Sequence, residues 1–153
     1  YPDAASIAAM DEEELRRILK PVGMYRTKAA NVRKLSQIIN EEYNGEVPGD
    51  YDKLIRLPGV GRKTANVVLA NGFGEPRIAV DTHVFRVSNR IGLVEEKDVL
   101  GTELSLMKVI PKEKWNRMHH ALIWHGRRVC SARRPDCGRC GLSGICLYAT
   151  GRS

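Results

Sequence analysis

The most informative segment of this chain is residues 57–65, which read Leu57-Pro58-Gly59-Val60-Gly61-Arg62-Lys63-Thr64-Ala65. Helical patterns stand on both sides of its turn, a short one over residues 51–56 and a longer one over residues 62–71. Gly59 and Gly61 flank a single residue of the turn, and glycine permits a positive φ and the close approach of another backbone. The segment therefore predicts two short helices joined by a tight hairpin.

This hairpin has two interpretations. The first N–H groups of the second helix point outward, so the turn can bind a phosphate without a cationic side chain. Contacts of that kind position DNA but read no sequence. The other interpretation is an ordinary turn between two helices, which also favours glycine. The glycine pair alone leaves both interpretations open.

The rest of the chain predicts further helices. Apolar residues recur at helical spacing between breaks formed by glycine, proline and Asn-Gly. Residues 78–80, Ile-Ala-Val, are apolar, but the run is short and finds no partner, so we expect extended chain leading into a helix. The fold class is therefore predicted to be all-α, with helices over residues 11–20, 26–43, 51–56, 62–71, 82–90, 96–110 and 112–129.

Positive charge is concentrated in the last third of the chain. Residues 1–107 carry 15 Lys and Arg against 16 Asp and Glu, whereas residues 108–153 carry 10 against 2. A concentrated basic surface suggests nucleic acid as the partner, although a solubilising face has the same composition. The chain has 153 residues, 42% of them hydrophobic, as in a globular protein. It shows no secretory signal and no apolar run near the roughly 18 residues of a membrane span, so we expect a cytoplasmic protein.

All four cysteines lie within residues 130–146, in the spacing Cys-x6-Cys-x2-Cys-x5-Cys. A disulfide pair is disfavoured because nothing suggests secretion. A structural zinc site usually has two Cys-x2–4-Cys pairs, and only Cys137 and Cys140 form one. A [4Fe–4S] cluster also takes four thiolates and tolerates more varied spacing. The spacing alone leaves zinc and iron–sulfur in competition for Cys130, Cys137, Cys140 and Cys146.

Three motifs in order resemble the helix-hairpin-helix DNA glycosylases, and most closely the endonuclease III family. The first is residues 57–65, and that family has a lysine at the start of the second hairpin helix, which is Lys63 here. The second is residues 78–90, Ile-Ala-Val-Asp-Thr-His-Val-Phe-Arg-Val-Ser-Asn-Arg, which supplies the family's aspartate as Asp81. The third is the cysteine spacing of residues 130–146. The resemblance covers nearly the whole chain.

The resemblance implies a partial helix-hairpin-helix glycosylase fold. Residues 1–76 would form part of a helical barrel domain, with the hairpin motif at residues 57–63. Residues 77–153 would form a helical domain ending in a loop, residues 130–146, that holds a [4Fe–4S] cluster. The chain begins with Tyr1 and not with methionine, and the family has further helices before that position. We therefore expect a fragment or a processed form.

The resemblance also implies the activity of a bifunctional DNA N-glycosylase and AP lyase of base excision repair. Such an enzyme removes oxidised or damaged pyrimidines and nicks abasic sites by β-elimination through a Schiff base on Lys63. Its partner would be double-stranded DNA containing damaged bases or abasic sites, bound by a monomer at the nucleoid. Two alternatives stand beside it: a monofunctional adenine or mismatch glycosylase, against which Lys63 argues, and a non-catalytic hairpin module that only docks on DNA.

The residue chemistry agrees with catalytic roles for Lys63 and Asp81, although it does not require them. A lysine at a helix N-terminus faces the positive end of the dipole, which disfavours its ammonium form, and a neutral amine is a nucleophile. Asp81 could stabilise positive charge that develops on the sugar. Lys63 could equally be a solvated or phosphate-contacting side chain. Asp81 could equally cap the helix that begins at Thr82 or be a surface acid.

The remaining candidate site residues are predicted to contact DNA. Arginines held on a rigid loop would bind phosphates and make DNA affinity depend on salt. We treat His83 and Arg86 as structural, and we expect core or surface roles for His119, His120 and His125. The predicted DNA contacts are Leu57, Gly59, Val60, Gly61 and Arg62 in the hairpin, and Arg133, Arg134 and Arg139 in the cysteine loop.

Overall fold

The structure is a computed structural model that describes residues 1–151, and every regular element in that range is helical. The predicted all-α class is confirmed. No helix in the described range is both long and apolar enough to cross a membrane. The helices are α1 (Ala4–Ala9), α2 (Glu12–Leu19), α3 (Tyr25–Glu42), α4 (Tyr51–Arg56), α5 (Arg62–Gly72), α6 (Thr82–Ile91), α7 (Val99–Val109), α8 (Trp115–Arg128) and α9 (Leu147–Thr150), with 3-10 turns at Lys112–Lys114 and Cys137–Arg139.

Helix ends differ from the sequence-based expectation where a cap overrides the apolar pattern. The helix predicted from residue 96 begins at Val99, because the Asp98 carboxylate accepts a hydrogen bond from the Gly101 N–H at 2.8 Å. The helix predicted over residues 112–129 divides into a 3-10 turn and α8. The sequence analysis missed α1, which Asp3 caps through the Ser6 N–H at 2.8 Å.

The chain divides into two compact units, residues 1–65 and residues 66 onward, with the division inside α5. In the first unit, α1 and α2 both pack on α3. Met10, Leu15 and Ala29 form the buried centre of that packing. The sequence analysis placed a domain boundary between residues 76 and 77, and that boundary stays a prediction.

The second unit is built around α6, which packs against α7, α8 and α9. Residues 78–80 run through its core as extended chain, as predicted, and are almost fully buried. The contact between α6 and α8 is close because Gly126 has no side chain: a Cβ there would lie 3.0 Å from His83 Cβ and 3.1 Å from Val87 Cγ2. The buried apolar residues around α6 include Ile78, Val80, Val84, Val87, Leu106, Trp115 and Leu122.

Candidate active site

The predicted hairpin is present between α4 and α5. The Val60 N–H donates to the Leu57 carbonyl at 3.1 Å, and the Ala65 N–H donates to the Gly61 carbonyl at 3.0 Å, which starts α5. Gly59 has a φ of +77°, and a Cβ on it would lie 2.9 Å from Asn31 Nδ2. A left-handed backbone and a close neighbour both disfavour a side chain here. The fold itself therefore favours glycine at this position.

Gly61 has a different environment, because nothing lies within 4 Å of the Cβ that could be placed on it. Residues 61–64 are all exposed. The first N–H groups of an α-helix have no partner within the helix, and in α5 the residues that carry them are exposed. The start of α5 is consequently an accessible, positively polarised surface that suits an anion.

The hairpin side chains differ in what they offer to a ligand. Lys63 lies in the first turn of α5 with its side chain exposed. Arg62 lies beside Tyr51, with its guanidinium 6.0 Å from the ring centre and 3.5 Å from the hydroxyl. Leu57 is only 5% exposed, so this predicted DNA contact offers little surface to a ligand. Val60 is half-buried.

Asp81 directly precedes α6 and is half-buried. Its Oδ1 accepts hydrogen bonds from the His83 and Val84 N–H groups, both at 2.8 Å, so the predicted capping role is confirmed. The same two bonds fix the direction of the carboxylate. A catalytic role for Asp81 is compatible with this geometry, because a fixed acceptor needs little reorganisation during a reaction.

Buried polar contacts hold the extended segment that leads to Asp81. Asn66 Nδ2 donates to the Ile78 carbonyl at 3.5 Å and to Glu103 Oε1 at 3.1 Å. His119 Nδ1 lies 2.6 Å from the Ala79 carbonyl oxygen, so this nitrogen carries the proton. Sequence reasoning missed Asn66 and Glu103, because their partners lie far away along the chain. It expected a core or surface role for His119, which is in the core.

The four cysteines line one cavity, together with His125, Pro135 and Tyr148. None of the four forms a disulfide, and Cys130 and Cys146 are buried while Cys137 and Cys140 are half-buried. Two donors approach their sulfurs: the Leu142 N–H lies 3.4 Å from Cys140 Sγ, and Arg90 Nη1 lies 3.5 Å from Cys130 Sγ. Thiolates are stabilised by such donors and by nearby cations.

This donor set fits a [4Fe–4S] cluster. In a cubane each thiolate binds a different iron atom, so the four sulfurs need to share a cavity and need not converge on one point. In the described part of the chain, no three His, Cys, Asp or Glu side chains converge closely enough to hold a single ion. Four thiols around one cavity match the cubane requirement.

Two arginines of α6 hold the first turn of the cysteine loop, and sequence reasoning did not assign them to it. Arg90 donates to the carbonyls of Ser131 and Ala132, each at 2.8 Å. Arg86 donates to the carbonyls of Gly126 at 2.9 Å and Cys130 at 3.0 Å. The two arginines are four residues apart and therefore share one face of α6. The sequence shows this spacing, but it does not show which backbone carbonyls accept hydrogen bonds from the two arginines.

The loop arginines are not equivalent. Arg133 and Arg134 are exposed. Arg139 forms an ion pair with Asp136, with Nε and Nη2 both 2.6 Å from Oδ2. The hydrogen bond from the Arg139 guanidinium holds the pKa of the Asp136 carboxyl below its ordinary value. Arg133 and Arg134 therefore present the uncompensated charge of this loop.

The sequence matches two known families over nearly all of the segments described above. Residues 1–112 match the HhH-GPD superfamily of base excision DNA repair proteins, and residues 130–146 match the iron–sulfur binding domain of endonuclease III. The chain is 54% identical over 147 residues to endonuclease III of Bacillus subtilis (strain 168), covering 95% of the chain and 67% of that protein. The chain belongs to the endonuclease III family. To endonuclease III of Escherichia coli (strain K12) it is 50% identical over 151 residues, covering 97% of the chain and 72% of that protein.

Solved structures support the endonuclease III fold. A trapped endonuclease III–DNA covalent intermediate, in an estranged-adenine complex, superposes with a TM-score of 0.93 at 48% identity, covering 99% of this chain and 72% of that one. A thermostable thymine-DNA glycosylase gives 0.83 at 27% identity, with 99% and 71% coverage. The predicted enzyme class, a DNA glycosylase and AP lyase of base excision repair, is confirmed. The predicted [4Fe–4S] cofactor is confirmed as well.

Proposed function

We propose that this member of the endonuclease III family removes oxidised or otherwise damaged pyrimidines from double-stranded DNA and nicks abasic sites through a Schiff base on Lys63. The observation that carries the proposal is the exposed amine of Lys63 in the first turn of α5, directly after an open hairpin. A protein 48% identical to this chain has been caught as a covalent intermediate with DNA. The enzyme acts as a monomer on DNA of the nucleoid.

DNA docking involves two surfaces in the proposed complex. The backbone N–H groups at the start of α5, next to Gly61, donate to phosphate oxygens. Arg133 and Arg134 in the cysteine loop bind a second stretch of backbone and add a salt-dependent contribution to affinity. Arg139 contributes less, because Asp136 already compensates its charge. The damaged nucleotide is extruded from the duplex so that the enzyme can reach its sugar.

Lys63 acts as the nucleophile in its neutral form. The lone pair of Nζ forms a bond to C1′ of the sugar, while the N-glycosidic bond breaks and the base leaves with that electron pair and takes up a proton. Opening of the sugar ring gives a protonated imine between Lys63 and C1′. Loss of a proton from C2′ then breaks the C3′–O bond, which cuts the strand 3′ of the lesion. Water hydrolyses the imine and restores the lysine amine.

Asp81 stabilises the positive charge that develops on the sugar while the base departs. Its carboxylate is already fixed by the two N–H groups at the start of α6, so little reorganisation is needed in the transition state. The resident cluster, when bound, supplies four iron–sulfur bonds that crosslink the loop. Arg133 and Arg134 would then lie on a fixed loop backbone.

Borohydride trapping tests the function. With an oligonucleotide containing one abasic site or one oxidised pyrimidine, borohydride should reduce the imine and leave a stable protein–DNA adduct. We expect Lys63→Ala to abolish the adduct, whereas Lys97→Ala, which removes another exposed lysine, should trap like wild type. The assignment is wrong if wild type traps no better than Lys63→Ala.

Two further readouts distinguish the alternatives in the same assay. Base release without strand cleavage or adduct would identify a monofunctional glycosylase. Binding of the damaged duplex with neither base release nor adduct would identify a docking module. A panel of oligonucleotides with different damaged pyrimidines then ranks the lesions by rate of base release.

A further inference from the structure

A line of exposed residues runs along one face of α8 and the turn before it. Their spacing places them on one side of the helix. At 1.5 Å per residue this line is about 21 Å long. The opposite face of α8, with Trp115, His119, Leu122 and Gly126, is buried. We call the exposed line the α8 stripe, and it consists of Lys114, Arg117, Ala121, Trp124 and Arg128.

The α8 stripe is strongly positive. Lys114, Arg117 and Arg128 are all exposed, and Arg127 lies beside them. Within residues 1–151, no carboxylate forms a salt bridge with any of these four side chains. Glu113 is the only acidic residue between residues 104 and 135. The stripe thus offers several uncompensated cations to a polyanion.

Trp124 lies within this positive surface and is 53% exposed. The guanidinium of Arg128 sits over its ring, 4.3 Å from the ring centre. The other tryptophan, Trp115, is buried and donates its ring N–H to the Ile110 carbonyl at 2.9 Å. An exposed ring paired with a planar guanidinium is a platform on which nucleobases stack.

We propose that the α8 stripe binds single-stranded DNA, with bases stacked on the Trp124–Arg128 pair and backbone phosphates along Lys114 and Arg117. Single-stranded DNA sites combine aromatic platforms with a positive track in this way. In a duplex the bases are already stacked on each other, so Trp124 would have no base to contact. The length of the stripe suits about six stacked nucleotides at 3.4 Å each. The site needs neither Lys63 nor a damaged base.

Fluorescence anisotropy with a labelled oligothymidine tests the site on the full chain. We expect Trp124→Leu to weaken binding about tenfold, since stacking of one base on an aromatic ring contributes that order of affinity. Phe73→Leu is the matched control, because Phe73 is also an exposed aromatic residue, and it should leave the affinity unchanged. Lys114→Gln with Arg117→Gln should reduce the slope of log Kd against log salt by about 1.4, at about 0.7 for each phosphate contact on a single strand.

Intrinsic fluorescence gives an independent readout, because the chain has two tryptophans and only Trp124 is exposed. Oligothymidine should quench the fluorescence of wild type and of Trp115→Phe, and it should leave Trp124→Phe unquenched. Far-ultraviolet circular dichroism and a thermal melt check that each variant is folded. Equal oligothymidine affinity of wild type and folded Trp124→Leu would refute the proposal. Preferential binding to vesicles containing anionic phospholipid would refute it too, in favour of a membrane surface.

Borohydride trapping separates this site from the catalytic one. On a short duplex with one abasic site, Trp124→Leu should trap like wild type, and Lys63→Ala should still bind oligothymidine. If wild type forms no adduct but still binds oligothymidine, the proposed function is rejected and this inference stands. Intact trapping with no effect of any α8 stripe variant on oligothymidine binding would reject this inference alone.

Discussion

Gly59 and Gly61 lie two residues apart in the hairpin and face different surroundings. Gly59 has a positive φ and a Cβ on it would lie 2.9 Å from Asn31 Nδ2, whereas a Cβ on Gly61 would meet nothing within 4 Å. The sequence shows the same residue type twice, but folding constrains only the first. The missing side chain at Gly61 instead keeps the start of α5 open.

A pair of alanine substitutions separates the two requirements. Gly59→Ala should destabilise the protein by about 1–3 kcal/mol, from the left-handed backbone and the contact with Asn31. Gly61→Ala should leave the melting temperature nearly unchanged but weaken DNA binding, because its methyl group would project into the open space that the DNA backbone is proposed to occupy. Thermal melts and DNA anisotropy measure the two effects. Unchanged DNA affinity of Gly61→Ala would argue against phosphate binding at this turn.

Asp81 combines a structural role with a proposed chemical one. The substitution Asp81→Asn separates the helix cap from the negative charge. In Asp81→Asn the side-chain oxygen still accepts from the His83 and Val84 N–H groups, since asparagine caps helices about as well as aspartate. Stability should therefore change little, while base release should fall by about 100-fold because the charge is lost. Asp81→Ala should additionally lose about 1 kcal/mol of stability. If Asp81→Asn releases the base at the wild-type rate, Asp81 acts only as a helix cap.

At the scale of elements, α6 connects the candidate catalytic residue to the cofactor loop. Asp81 caps the first turn of α6, and further along the helix Arg86 and Arg90 donate hydrogen bonds to carbonyls of the cysteine loop. Cys146 Sγ lies 3.3 Å from the Arg90 carbonyl oxygen. The end of α6 also lies close to α9, because a Cβ on Gly92 would lie 2.5 Å from Leu147 Cδ1. One helix thus contacts both ends of the cysteine loop.

Arg90→Gln should loosen the cysteine loop without unfolding α6. Hydrogen bonds from a charged donor contribute about 1.5–3 kcal/mol each, and Arg90 makes two to the loop backbone. We expect iron to be released to a chelator several-fold faster than from wild type, as followed by the visible absorbance of the cluster. Arg127→Gln removes an exposed arginine of α8 and is the control. Identical release from Arg90→Gln and wild type would mean that Arg90 does not hold the loop.

At the scale of the whole molecule, the purified chain should be yellow-brown and contain about four iron atoms. The loop from Cys130 to Cys146 contributes few apolar residues to a core, so its order depends on metal bonds. Stripping the iron should therefore expose the loop to proteolysis and weaken DNA binding, while the helices of the first unit remain intact. Elemental analysis and limited proteolysis measure this. Colourless protein with one zinc ion per chain would contradict the prediction.

Much of this architecture could be predicted from the sequence, because helical periodicity and the three motifs are local signals. The bounds of α4 agree with the prediction to the residue. Contacts between distant residues were not predictable: Asn66 meets Glu103, and Arg90 meets Ala132, more than 35 positions along the chain. The short helices α1 and α9 escaped prediction because six and four residues are too few to show a period.

The four cysteines are unequally buried, and this difference determines which of them meet reagents from solution first. Cys130 and Cys146 are 8% and 7% exposed, whereas Cys137 and Cys140 are more accessible. Reagents from solution meet the accessible pair first, since thiol reactivity follows exposure. We therefore expect both iron loading and oxidant attack to begin on the side of Cys137 and Cys140.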